Sequence, residues 1–164
     1  MIASNSNKIK KQQTIGSEFS LSGIGLHSGE KVNIVVQPAL PNNGIKFIRT
    51  DLHNNNIVKA IWSNVTSTNL STTISNNKGV SVSTIEHLMA ALYGKGVDNL
   101  LIEMDSEEVP ILDGSSKNFV EAIELADLEI SDQPIKIITI DKEVVYEEGG
   151  KSISFKPSKI SLEI

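Results

Sequence analysis

The chain of 164 residues contains no cysteine, which excludes disulfide bonds and any metal site built from thiolates. Aromatic residues make up only 4% of the sequence, so leucine, isoleucine and valine must fill most of the core that the 39% hydrophobic content can build. No apolar run reaches the length of a transmembrane helix, and residues 1–11 lack the apolar centre of a signal peptide. We therefore expect a cytoplasmic protein without a transmembrane segment.

Positive charge is also scarce. The net charge is −5, and no basic stripe offsets the excess of acidic residues. Binding to a phosphate backbone depends on clustered lysine and arginine side chains. The composition therefore argues against a nucleic-acid partner.

Short β-branched runs separated by glycine, proline and asparagine turns predict that strands dominate the first two thirds of the chain. These predicted strands cover residues 14–21, 31–37, 45–49, 57–62, 72–74, 80–82 and 99–104. Apolar residues at helical spacing predict two helices, over residues 84–93 and 115–126. The apolar side of the second helix is marked by Phe119, Ile123, Leu125 and Ala126. This order of elements is typical of an α+β fold, a two-layer sandwich of a mixed β-sheet and two helices.

The strand pattern restarts near residue 134. The predicted strands there cover residues 135–140, 143–147, 151–155 and 160–164. Residues 150–157 resemble residues 29–38, since both have glycine, lysine, alternating apolar positions and then proline. The echo predicts that a second copy of the fold begins here and that the chain stops before that copy's helices. We expect residues 1–11 to be a loose tail, 12–130 to form the first α+β domain, and 134–164 to be the truncated start of a second, similar one.

The run from Ser83 to Leu92 places a carboxylate, Glu86, beside an imidazole, His87, in the first turn of the first predicted helix. A metal hydrolase needs one of each: a histidine to hold the metal, and a carboxylate to take a proton from the metal-bound water. The apolar stripe of this helix consists of Ile85, Leu88, Met89 and Leu92. His87 points away from that stripe. Ser83 and Glu86 also match a capping box, in which Glu86 would only bond back to the N-cap amide and His87 would be an ordinary surface histidine.

Three further places carry candidate site residues. His27 lies in a glycine-rich loop and is a second candidate for a metal ligand or a substrate contact. Asp113 comes just before the second helix, where it or Ser115 caps the helix, and where it is also able to orient an active-site group. Leu70 and Ser71 begin a polar stretch that is either a half-exposed strand edge or the lining of a cleft beside the first helix.

The remaining histidine and the neighbouring glutamates are not expected to complete a metal site. His53 stands in a run of asparagines and is expected to be exposed to solvent. The pair Glu107–Glu108 is expected to form a solvated turn and not a metal site. The spacing His-Glu-x-x-His is absent, which excludes a zincin, and a catalytic zinc site needs three protein ligands.

Six short motifs follow one another along the chain. They are Gly23-x-Gly25-Leu26-His27-Ser28-Gly29, Arg49-Thr50-Asp51-Leu52, Ser71-Thr72-Thr73, Thr84-Ile85-Glu86-His87-Leu88, Gly96-Val97-Asp98-Asn99 and Val109-Pro110-Ile111-Leu112-Asp113-Gly114-Ser115. Together and in this order they resemble the UDP-3-O-acyl-N-acetylglucosamine deacetylases, the zinc amidases that commit the pathway to lipid A in Gram-negative bacteria. The resemblance covers nearly the whole chain.

The resemblance implies a longer protein with two similar α+β domains and an active site between them. It implies that Glu86 is the general base and that His87 is the first ligand of the Zn²⁺ cofactor. His27, Asp113 and the pair Leu70–Ser71 would bind substrate or support the site. The other zinc ligands would lie beyond residue 164, so the chain by itself is expected to be inactive.

The implied substrate is an acylated UDP-sugar, whose acetamide is hydrolysed to acetate and a free amine. The full-length protein is expected to be a monomer. The residues leave one alternative open: a non-catalytic module of the same fold that binds a sugar nucleotide or has a structural role.

Overall fold

The computed structural model describes residues 10–158. The chain forms two compact units, the first ending at Pro134 and the second beginning at Ile135. The helices are α1, Glu86–Lys95, and α2, Lys117–Leu125. The strands β1 to β12, in chain order, are Lys11–Ile15, Phe19–Ile24, Lys31–Pro38, Ile45–Arg49, Ile57–Lys59, Val65–Ser67, Thr73–Ser75, Ser81–Val82, Leu100–Met104, Leu128–Pro134, Val144–Glu148 and Lys151–Phe155. Among the described residues, no helix has the length and apolar character needed to cross a membrane.

A five-stranded sheet with the order β2-β3-β9-β4-β5 forms the centre of the first unit. Strands β4 and β9 run parallel, whereas the other neighbours are antiparallel, so the sheet is mixed. In β3, Val32, Ile34 and Val36 are buried and alternate with less buried residues, as expected of a strand with one face on a core. Two smaller sheets, β1–β10 and β6–β7–β8, belong to the same unit.

Both helices bury one side in the core that the main sheet also lines. Helix α1 contributes Leu88 and Leu92, and helix α2 contributes Phe119 and Ile123. The two helices also pack against each other. The predicted α+β class, with a mixed sheet and two helices, is therefore confirmed.

Helix α1 begins and ends two residues later than predicted. It begins at Glu86 because Thr84 has a left-handed backbone, with φ 56°, which no helix interior accommodates. It continues through Gly94 to Lys95. Gly96 is its C-cap, where φ is 72° and the N–H donates to the carbonyls of Leu92 and Tyr93. Glycine takes this left-handed C-terminal conformation without a steric cost.

Helix α2 is shorter than predicted, and one of its apolar residues is misplaced in the prediction. Phe119, Ile123 and Ala126 are buried as expected. Leu125 is 87% exposed, so its assignment to the apolar side is wrong. At 100° per residue the stripe through Phe119 and Ile123 leaves Leu125 on the opposite side of the helix.

Several strand predictions also need correction. The predicted strand 14–21 is two strands, β1 and β2, because the chain turns at Gly16, whose N–H donates to the carbonyl of Ala126 at 3.1 Å. Lys11 lies in β1 and not in a tail, and residues 1–9 lie outside the described residues. Strand β5 ends early, and a short 3-10 helix, Trp62–Asn64, follows it. Strand β10 was missed because almost all of its residues are exposed, so no apolar alternation marks it.

The second unit contains an antiparallel hairpin made of β11 and β12. Strand β12 and strand β3 are each the second strand of such a hairpin, so the two segments of the sequence echo adopt the same local structure. Residues 135–140, predicted as a strand, are not in one, and residues 160–164 lie outside the described residues. The assignment of this unit to the start of a second domain stays a prediction.

Truncation of Phe119 to alanine is expected to destabilise the first unit by about 3–5 kcal/mol, because the ring is fully buried and its loss leaves a cavity. Leu125→Ala, on the exposed side of the same helix, is expected to change the free energy of unfolding by less than about 0.5 kcal/mol. Urea unfolding of both variants measures the difference. Similar losses for the two variants would contradict the orientation of α2.

Candidate functional site

The segment that leads into helix α1 is held by a strand-like contact with residues 107–109. The N–H of Ser83 donates to the carbonyl of Glu107 at 2.9 Å, and the N–H of Val109 donates back to the carbonyl of Ser83 at 3.1 Å. The next residue, Thr84, is buried, and its hydroxyl donates to Oε1 of Glu108 at 2.8 Å. These contacts determine where helix α1 begins and therefore where Glu86 and His87 lie.

Glu86 is the first residue of α1 and is half-buried. Its Oε2 accepts a hydrogen bond from the N–H of Thr72 at 3.0 Å. The capping-box interpretation is wrong, because the N–H of Ser83 donates to Glu107 and the helix has no side-chain cap. Within the described residues, Oε1 of Glu86 accepts no hydrogen bond. One carboxylate oxygen is thus anchored and the other is free to accept a proton.

The bond from Thr72 also brings Leu70 and Ser71 next to the start of α1. Both residues come just before strand β7. Leu70 has a left-handed backbone, with φ 63°, and its side chain is 83% exposed. A leucine held in this conformation with its side chain in water is unusual and is a common feature of sites that contact ligands.

His87 is half-buried and connects the two helices through its backbone. Its carbonyl accepts a hydrogen bond from the hydroxyl of Ser116, which precedes α2, at 2.8 Å. The described residues contain no group of three or more His, Asp or Glu side chains arranged to hold a metal. His87 directly follows Glu86 in α1, and the metal-binding roles of His87 and His27 stay predictions.

His27 lies in the loop between β2 and β3, which closes on the carboxylate of Glu108. The N–H of His27 donates to Oε1 at 3.0 Å, and the N–H of Ser28 donates to Oε2 at 2.8 Å. A Cβ atom at Gly25 would overlap this carboxylate and the hydroxyl of Ser28, so only glycine fits there. The loop therefore holds His27 through its backbone.

The prediction that Glu107 and Glu108 form a solvated turn is wrong for Glu108, which is only 2% exposed. Burial by itself raises the pKa of a carboxyl group. Here the N–H groups of His27 and Ser28 and the hydroxyls of Ser28 and Thr84 outweigh burial and lower the pKa of Glu108 to about 2. The signal in the sequence is its place directly before the apolar run that starts at Val109, which makes a buried strand-like segment the better interpretation.

Asp113 is exposed, and its side chain holds the turn that leads into helix α2. Its Oδ1 accepts hydrogen bonds from the N–H and the hydroxyl of Ser115, both at 2.9 Å, and these bonds lower the pKa of Asp113. The hydroxyl of Ser115 in turn accepts from the N–H of Lys117 at 3.1 Å. The N–H of Ile111 donates to the carbonyl of Ile24, which ties this segment to the end of β2 near His27. Asp113 and Ser115 thus form the turn before α2, but the predicted cap is wrong, because the N-cap residue is Ser116 and it makes no side-chain capping bond.

Two of the six motifs make hydrogen bonds that support the fold. The guanidinium of Arg49 binds Asp51 through Nε and Nη2, at 2.8 and 2.6 Å, and donates to the carbonyl of Ser81 through Nη1. The side-chain hydrogen bond with Arg49 lowers the pKa of Asp51. Asp98 accepts the N–H of Gln13 and so fastens β1 to the start of β9. His53 is exposed, as expected.

Glu108→Gln is expected to destabilise the protein by roughly 3 kcal/mol at about pH 7, because the pKa of Glu108 falls from 4.5 to about 2 on folding. A lowered pKa contributes stability above about pH 4.5, and that contribution is lost as the pH falls toward 2. The difference in the free energy of unfolding between Glu108→Gln and the unaltered protein should therefore become smaller in acid. Urea unfolding across this pH range measures it.

Glu107→Gln is the matched control, because Glu107 is exposed and its Oε1 accepts only the hydroxyl of Ser81. It is expected to change stability by less than about 1 kcal/mol, with no matching dependence on pH. Equal losses for the two variants, or a gap that is the same at every pH, would contradict the role assigned to Glu108.

Comparison of the sequence with known proteins finds one family over nearly the whole chain. Residues 12–164 match the family model of the UDP-3-O-acyl N-acetylglycosamine deacetylases. The chain is 43% identical over 147 residues to the UDP-3-O-acyl-N-acetylglucosamine deacetylase of Haemophilus influenzae strain PittEE, and 42% identical to that of strain 86-028NP. Each match covers 90% of this chain and 48% of the relative. The chain thus spans about half the length of the curated relatives it matches.

Proposed function

The chain belongs to the UDP-3-O-acyl N-acetylglycosamine deacetylase family, and we propose that it carries the general base of such an enzyme. The reaction would be hydrolysis of the acetamide of UDP-3-O-acyl-N-acetylglucosamine to acetate and a free amine, in the biosynthesis of lipid A. The observation that supports this most directly is the carboxylate of Glu86, which has one oxygen anchored on Thr72 and the other without a partner among the described residues.

Glu86 is proposed to take a proton from the water that attacks the acetamide carbonyl. The water oxygen forms the new bond to the carbonyl carbon, the carbon–nitrogen bond breaks, and the amine leaves with a proton. The hydrogen bond from Thr72 orients the carboxylate, so that the free oxygen needs little reorganisation to accept the proton. The acid that protonates the amine is proposed to lie elsewhere in the complete protein.

Zinc is the proposed cofactor of the complete protein, and His87 is proposed as one of its ligands. A catalytic zinc site takes three protein ligands, and the described residues supply no group of three candidates. The residues present fit one ligand of such a site and not a whole site, so the other ligands are proposed to lie elsewhere in the complete protein. When bound, the ion would supply an activated water and polarise the carbonyl.

The remaining candidates are proposed to shape and support the site. The exposed Leu70 and the half-buried Ser71 are proposed to contact substrate next to Glu86. The loop that carries His27 and the segment that carries Asp113 are connected by the hydrogen bond between Ile111 and Ile24. From its membership in the family, the complete protein is proposed to act in the cytoplasm of a Gram-negative bacterium and to be a monomer.

In the complete protein, Glu86→Gln is expected to lower kcat by roughly 10²–10⁴-fold, because the amide cannot act as a base. The amide oxygen is still able to accept the N–H of Thr72, so the melting temperature should stay near that of the unaltered protein. Steady-state kinetics and thermal unfolding are measured together. An unchanged kcat would show that Glu86 is not the base, whereas no turnover by the unaltered complete protein would support the non-catalytic module that the sequence leaves open.

His87→Ala, again in the complete protein, is expected to weaken zinc binding by more than about tenfold, because loss of a direct ligand costs at least as much as loss of a residue that orients one. The matched control is His53→Ala, since His53 is exposed and apart from the site. Metal analysis after dialysis against a zinc buffer gives the bound zinc per protein. Equal zinc content in both variants would remove His87 from the ligand set.

A further inference from the structure

Residues 52–85 contain no aspartate or glutamate, although the chain has 20 acidic residues and a net charge of −5. The charged side chains in this stretch are Lys59 and Lys78, with His53 as a third group that is able to become positive. Neither lysine forms an ion pair with any residue in the described part of the chain. Residues 52–85 of an otherwise acidic protein therefore carry positive charge and no negative charge of their own.

The fold brings both lysines to one open depression of about 600 Å³. Its lining consists of the two lysines, the isoleucines Ile57 and Ile61, and five asparagines, with no acidic residue. Strand β5, which contributes Ile57 and Lys59 to the lining, is the edge strand of the main sheet. Positive charge and aliphatic surface are thus combined in one place.

Asn76 fixes the two sides of the depression together. Its Nδ2 donates to the carbonyls of Asn55 and Ile57, at 2.6 and 3.0 Å. Its Oδ1 accepts from the N–H of Lys78 at 2.9 Å and of Val80 at 3.1 Å. The turn that carries Lys78 is therefore fastened to strand β5, and the lysines are held on the same surface without a contact between them.

Large apolar side chains in and directly after strand β5 are exposed to solvent. In β5, Val58 is fully buried, so its neighbours Ile57 and Lys59 point outward together. Ile57 and Ile61 are each about half exposed, and Trp62, which directly follows Ile61, is 89% exposed. Trp62 is the only tryptophan in the chain. Exposed apolar groups gathered in one patch indicate a surface that binds something.

We propose that this surface, the Trp62 patch of Ile57, Lys59, Ile61, Trp62 and Lys78, docks the protein on a bilayer that contains anionic phospholipid. Lysines attract the negative surface of such a bilayer, and tryptophan is the side chain that prefers the boundary between headgroups and acyl chains. The positive charge of the patch favours an anionic partner. The exposed indole and isoleucines favour a partner whose charged surface covers an apolar layer, as in a bilayer. The proposal goes beyond the deacetylase reaction and does not depend on it.

The test is sedimentation of the complete protein with vesicles. One set is phosphatidylcholine alone and the other contains phosphatidylglycerol at about 40% of the lipid, which gives the negative surface that basic residues recognise. The protein is expected to partition at least about tenfold more strongly to the anionic vesicles. This preference should fall as salt rises, because the Debye length shrinks from about 30 Å at 0.01 M to about 10 Å at 0.1 M.

Two variants locate the contact. Lys59→Glu combined with Lys78→Glu is expected to lower partition to anionic vesicles by at least about tenfold, because both attractive charges are reversed. Trp62→Ala is expected to lower it by roughly fivefold, because the interfacial side chain is lost. All three positions are exposed, so the melting temperatures should match that of the unaltered protein.

The matched controls are Lys31→Glu combined with Lys136→Glu, and Tyr93→Ala, since these lysines and this aromatic residue are also exposed but lie outside the patch. The controls are expected to bind vesicles as the unaltered protein does. Equal partition to both kinds of vesicle, equal losses in the control variants, or no binding at all would overturn the proposal. Binding of soluble glycerol phosphate, lost in the double lysine variant and without vesicle binding, would overturn it in favour of a small-anion site.

Discussion

The arrangement of the candidate site depends on one buried carboxylate, that of Glu108. A charged group out of water is unfavourable unless its lone pairs are satisfied. Here they are satisfied by N–H groups of His27 and Ser28 and by the hydroxyl of Thr84. The three segments that meet on this carboxylate are far apart in the sequence, so it sets the position of the loop after β2, of the start of α1 and of its own strand-like segment. The low pKa of Glu108 keeps it charged, and therefore able to accept all these bonds, over the whole physiological range.

Two carboxylates of the same region thus have different burial and different hydrogen-bond partners. Glu108 is buried and fully bonded, so it organises backbone and has no free lone pair to offer a substrate. Glu86 is half-buried and bonded through Oε2 alone, to a backbone N–H that orients it. Both residues are glutamates, so the residue type does not separate a structural carboxylate from a candidate base. The number of hydrogen bonds that each carboxylate accepts does. The Trp62 patch is distinct from both, since its lysines have no acidic partner among the described residues.

Local patterns in the sequence predicted much of the fold. Alternating apolar residues predicted strands such as β3 and β4, and the helical spacing of Leu88 and Leu92 predicted the buried face of α1. The pairing of Glu86 with His87 was predicted as well, because it needs only two adjacent residues at a helix start. The errors fall where local pattern is weak: β10 is exposed on nearly every residue, and Leu125 is apolar but faces solvent.

The sequence by itself determined the α+β class, the two helices, the absence of disulfides and the family to which the chain belongs, because periodicity, composition and short motifs are properties of neighbouring residues. Only the tertiary structure decided that Glu108 is buried, that Glu86 bonds to Thr72 and not to Ser83, and that Lys59 and Lys78 share one depression. Each of these depends on partners distant along the chain. Burial and hydrogen bonding are set by which segments meet in space, and no local pattern contains that information.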